Sequence, residues 1–163
     1  MTKASLLLTC LAALCAACEP AVNNVPADEA ATGTAPPEIE YINMPGMEEL
    51  DLPFSAAVRV GHTIYLSGMI GNVPGTMELA PGGIQGQTRQ ALENIKATLE
   101  HAGSSMDRVV KCTVFLADMS EWAAMNEVYV TFFETPPARS AFGANGLALD
   151  GKLEIECIAV AGS

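Results

Sequence analysis

The segment "KLEIECIAVA", residues 152–161, constrains the fold more than any other stretch of the chain. Side chains alternate between the two faces of a strand. Leu153, Ile155, Cys157, Ala159 and Ala161 therefore share one face, and Lys152, Glu154, Glu156, Ile158 and Val160 share the other. The first set is wholly apolar and must be covered. The second is carboxylated at its start and apolar at its end, so it suits neither a dry core nor open water. A sheet containing this strand needs helices over one face and a mixed cover over the other, for which self-association is the natural solution.

The remaining periodicities supply the helices. "FSAAVRVGHTIYLSG" reads as two short strands about a turn at Gly61 and His62, and "GNVPGTMELAPGG" as a loop. "IQGQTRQALENIKATLEHAG" places Ile84, Thr88, Ala91, Leu92, Ile95, Leu99 and Ala102 at spacings of three and four, the stripe of an amphipathic helix that Gly103 stops. Arg89, Glu93, Lys96 and Glu100 make its solvated face, and His101 lies in its last turn. "DRVVKCTVFLAD" is a strand with Val110, Cys112, Val114 and Leu116 on an apolar face. "MSEWAAMNEVYVTFFE" is a second helix, with Ser120 as N-cap and Trp122, Met125, Val128, Tyr129 and Phe132 on its buried stripe. "PPARSAFGAN" is a further strand. The order β-β-α-β-α-β-β predicts an α+β domain, a mixed sheet with two helices on one face.

The N-terminus has a different character. "MTKASLLLTCLAALCAACEP" opens with Lys3, continues as an uncharged apolar run and ends in small residues before Glu-Pro. That is the layout of a secretory signal, too short for a spanning helix. "CAAC" resembles a bacterial lipobox and predicts a signal over residues 1–17, with Cys18 lipidated and exposed as the new N-terminus. A plain cleaved signal is the alternative. Either reading places the protein in the periplasm, and in the lipobox reading only the lipid holds it to the membrane. Residues 18–51 are rich in Ala and Pro, and from residue 19 they carry eight acids and no base. They read as an acidic tether whose last third, from Tyr41, can lie against a domain of residues 52–163.

That domain has eleven acids beside seven bases, a net of −4, and no Lys/Arg stripe, which argues against nucleic acid as a partner. With two histidines and no CxxC within it, the domain offers no ligand spacing for a metal, and no cofactor is expected. Cys112 and Cys157 read as buried small hydrophobes, or as a disulfide if their Cα atoms come within about 7 Å. Arg139 and Glu154 stand out, because charges among small and apolar neighbours are either paired or used. They could form a salt bridge with each other, or Arg139 could pair with Glu156. They could equally serve a ligand.

From Tyr41 onward the chain resembles the RidA family (YjgF/YER057c/UK114) of imine and enamine deaminases. The resemblance is carried by "YLSGMIG", "QTRQALENIKATLEHAG", "VVKCTVFLADM", "MNEVYVTFF", "PPARSAF" and "LEIECIAVA". It implies a chorismate-mutase-like fold assembled as a homotrimer, with sites in the clefts between subunits. It also implies hydrolysis of 2-imino acids to 2-oxo acids and ammonia. Arg139 would grip the substrate carboxylate and Glu154 would activate the attacking water, the two lying close without pairing. Ser67, Gly68, Asn126 and Ala141 would line the cleft, and Phe54 would come from a neighbouring subunit. The chain departs from the family pattern where Phe54 replaces a tyrosine, Met69 a glutamine and Ala141 a cysteine. A non-catalytic trimer that binds small carboxylates is the alternative reading. Ribonuclease activity is the third, and the acidic surface opposes it.

Overall fold

The structure is a computed structural model that describes residues 35–162. The expected signal, the Cys18 lipidation site and residues 18–34 of the expected tether lie outside them. The rest of that segment belongs to the domain: β1 (Ile39–Ile42) pairs antiparallel with β2 (Ala57–Val60), and the compact unit begins at Pro36 rather than at residue 52. Ile42 enters the core, while Glu40 reaches across to Arg59 at 3.2 Å.

Seven strands form one sheet. After β2 come β3 (Thr63–Leu66), β4 (Met69–Ile70), α1 (Gly83–His101), β5 (Val109–Leu116), α2 (Trp122–Tyr129), β6 (Ala138–Gly143) and β7 (Leu153–Val160). The spatial order is β1-β2-β3-β7-β5-β6, with β4 pairing to β7. Every pairing is antiparallel except β5 with β6. A parallel pair needs a crossover, and α2 provides it. The architecture is the expected mixed α+β sheet with two helices on one face, extended by the edge strand β1 and the short β4.

The α1 stripe is buried from Ile84 to Ala102 and packs with Val114, Leu116, Leu153, Ile155 and Ala159. Three local expectations are corrected. The ladder slips between Val109 and Lys111, so Val109 is buried and Val110 is exposed, the reverse of strict alternation. Ser120 is not the cap; Asp118 accepts from the Ser120 backbone N–H at 2.8 Å and opens a short 3-10 turn before α2. Trp122, expected on the buried stripe, is 42% exposed at the start of α2, whereas Met125, Val128 and Tyr129 are buried.

On the sheet face away from the helices Tyr41, Tyr65, Phe142 and Val160 are exposed, and Thr113, Phe115, Glu154 and Ile158 are half-buried. Phe115 and Phe142 meet edge to face there at 5.0 Å. This is the mixed surface that the last strand required.

Cys112 and Cys157 lie directly opposite each other on β5 and β7 and form a disulfide within the core. The bridge closes 45 residues of chain, for which loop-closure entropy gives roughly 4 kcal/mol of stabilisation. Denatured, unreduced protein should therefore take up no thiol reagent at either position, and the Cys112→Ala/Cys157→Ala double variant should lose stability of that order in denaturant titration. Full labelling of both cysteines without reductant would show that the bridge does not form.

Candidate functional site

The arginine of "PPARSAF" sits on β6, whose parallel register places it beside Cys112. It therefore projects to the helix side, over α2. Trp122, Asn126 and Tyr129 are spaced i, i+4 and i+7 on α2 and form one stripe beneath it. Arg139 Nη1 donates to Asn126 Oδ1 at 2.7 Å. The guanidinium carbon stands 4.6 Å from the Tyr129 ring centre and 5.7 Å from that of Trp122, both within cation–π range. Among the described residues Arg139 has no carboxylate partner; the ion pairs join Arg59 to Glu40 and Lys152 to Glu121. Ala141, two residues along β6, lies on the same side, packed against the core.

Glu154 lies in register with Phe115, and so projects from the other face of the sheet. The salt bridge weighed between Arg139 and Glu154 or Glu156 is absent, and the expected closeness of Arg139 to Glu154 is not met within one chain. The reason is parity. Across three adjacent strands one row is Cys157, Cys112, Arg139, and another is Glu154, Phe115, Phe142. Row positions separated by three fall on opposite faces.

Glu154 is half-buried. Loss of hydration pushes its carboxyl above the ordinary range, and the Glu156 charge adds to the rise. Its carboxylate occupies the space beside Gly68: a Cβ built there would collide with Glu154 Oε1. Neighbouring bonds hold that strand end. Ser67 donates from its hydroxyl to Ser55 O at 2.7 Å and from its backbone N–H to Ala56 O at 3.0 Å. Asn94 of α1 donates to the carbonyls of Ile70 and Asn72. Phe54, one residue before Ser55, is 52% exposed.

The candidate residues thus fall into two half-sites. Arg139, Asn126 and Ala141 lie on the helix side, while Glu154 and Gly68 lie on the other, with Ser67 and Phe54 at the adjoining strand end. Trp122 and Tyr129 belong with the first and were missed as site residues, because their spacing with Asn126 also fits an ordinary core stripe. Burial pushes the Tyr129 phenol up to about 12, against a smaller lowering by the Arg139 charge, so the ring stays neutral. Among the described residues no cluster of His, Cys, Asp or Glu could hold a metal ion.

Comparison with known proteins identifies the family. The profile of the endoribonuclease L-PSP family matches residues 48–161. RutC family protein UK114 of Drosophila melanogaster is 46% identical over 112 residues, 68% of this chain and 81% of that protein. The 2-iminobutanoate/2-iminopropanoate deaminase of Mus musculus is 44% identical over 111 residues, 68% of this chain and 82% of that one. Among solved structures, E. coli TdcF with bound serine superposes with a TM-score of 0.65 at 36% identity, over 79% of this chain and 100% of that one. The matched region contains both half-sites, and the chain belongs to the RidA family.

Proposed function

We propose that the chain is an imine deaminase that hydrolyses reactive 2-imino acids or their enamine tautomers to 2-oxo acids and ammonia. The observation that carries the reading is Arg139, a half-buried cation with no carboxylate partner among the described residues, at the family's "PARS" motif. Its planar fork suits a carboxylate gripped at two points. Glu154 supplies the proton chemistry. As water adds to the imine carbon, the carboxylate takes one of its protons and passes it to nitrogen, giving a carbinolamine; the remaining hydroxyl proton then follows to nitrogen, the C–N bond breaks as the C=O bond forms, and ammonia leaves a 2-oxo acid. A raised carboxyl pKa makes Glu154 a stronger base, nearer the pH at which it works.

The two groups face opposite sides of one sheet, so the reading requires a site shared between copies of the chain. The half-apolar sheet face around Tyr65, Phe115 and Phe142 offers the contact surface, and a homotrimer is the assembly proposed. Ribonuclease chemistry is disfavoured by the acidic domain, which lacks a basic groove for a phosphate backbone. A carboxylate-binding trimer without turnover is the reading left if Phe54 and Ala141, in place of a hydroxyl and a thiol, prevent hydrolysis. We also propose export with a lipid anchor at Cys18. The "CAAC" pattern supports it, as does a core disulfide, a feature of oxidising compartments.

Purified protein should release ammonia from enzymatically generated 2-imino acids faster than buffer does, and Arg139→Ala and Glu154→Gln should each abolish that release. Mixing the two inactive variants under conditions of subunit exchange should restore about a quarter of the activity, the share of sites that draw both intact residues from different copies in random assembly. No recovery from exchanged subunits would refute the shared site. Gly68→Ala should keep the fold and the carboxylate affinity but lower kcat at least about tenfold, because the added methyl displaces the Glu154 carboxylate. An unchanged kcat would remove Glu154 from the mechanism. Cys18→Ala should release the protein from membranes, and unchanged attachment would end the anchor reading.

A further inference from the structure

A partly buried guanidinium is usually neutralised by a carboxylate, which would occupy the same fork that a ligand carboxylate needs. Arg139 is held in another way. Two aromatic rings and one amide oxygen surround it: Tyr129 at 4.6 Å, Trp122 at 5.7 Å, and Asn126 Oδ1 at 2.7 Å from Nη1. Ring faces attract the cation through their quadrupoles and consume none of its N–H donors. Asn126 takes one donor and leaves the rest of the fork unspent.

The two rings are set differently. Tyr129 is 3% exposed and packs its ring on Phe133 at 4.9 Å, so it forms a fixed floor. Trp122 is a wall open to solvent. The Tyr129 hydroxyl is buried with no hydrogen-bond partner among the described residues. An unpaired buried hydroxyl costs stability, so the hydroxyl does not explain the residue. The ring beneath the guanidinium does.

Resting on the deaminase reading of the same site, we propose that Tyr129, assisted by Trp122, is the positioning residue of the carboxylate grip. The ring fixes the plane of the Arg139 guanidinium and offsets its desolvation without neutralising it, which leaves the cation free for the substrate. The role belongs to the ring and not to the hydroxyl.

Two readouts test this: the split between KM and kcat for a 2-imino acid, and calorimetric binding of 2-oxobutanoate, which needs no turnover. Tyr129→Leu keeps an apolar side chain and removes the ring. It should raise both KM and the 2-oxobutanoate Kd by about three- to thirty-fold, with kcat within about twofold of wild type. Trp122→Leu, at an exposed position that does not endanger folding, should shift both in the same direction by about twofold. Tyr129→Phe should leave both unchanged and raise the melting temperature, since it removes only the unpaired hydroxyl. Folded Tyr129→Leu protein with wild-type affinity would overturn the proposal, as would a Tyr129→Phe loss as large as that of Tyr129→Leu. If Tyr129→Leu does not fold, wild-type affinity in Trp122→Leu overturns it. Wild-type protein that binds 2-oxobutanoate but hydrolyses no imine would end the deaminase reading and leave the cradle standing. Wild-type protein that does not bind the oxo acid would overturn both.

Discussion

The pairing of β7 with β5 places Cys157 opposite Cys112 and Glu154 opposite Phe115, and that register governs the molecule. It aligns Leu153, Ile155 and Ala159 under α1, and it brings two cysteines within bonding distance inside the core. Through β6 it carries Arg139 to the helix side while Glu154 stays on the far side. A slip of one residue would exchange the faces, bury two carboxylates and expose the core row. The covalent cross-link between Cys112 and Cys157 pins the strand pair on which both half-sites depend.

The two charged residues meet the cost of burial differently. Around Arg139, aromatic faces and an amide replace part of the lost hydration. Among the described residues of one chain no cation stands beside Glu154, and burial moves its pKa upward. The sign follows for stability. A carboxyl raised in the folded state favours folding while protonated, and that contribution is lost as pH rises through the folded pKa. The ionised form of Glu154 is therefore held against a folding penalty.

Much of the fold was legible in local pattern. The α1 stripe follows from periodicity alone, and the alternation of residues 153–161 gave both faces of β7. What pattern missed depends on distant partners. β1 is four residues inside an acidic segment, and only pairing with β2 makes it a strand. The slip at Val109 is set by the ladder with β7, not by composition. Trp122 fits a core stripe by spacing, yet it lies beyond the covered part of the helix. For the site, the residue types of Arg139 and Glu154 marked them out, and parity in each strand was readable. Their separation was not, because it needs the register of β6 on β5 and of β5 on β7 together.

Gly68 has a wider use. The space its missing side chain leaves is filled by the Glu154 carboxylate, so the two positions are sterically complementary. A related chain with any larger residue at the first position cannot keep a carboxylate in this place at the second. The pair is thus readable from sequence: where the glycine is lost, a retained glutamate no longer has this place to occupy.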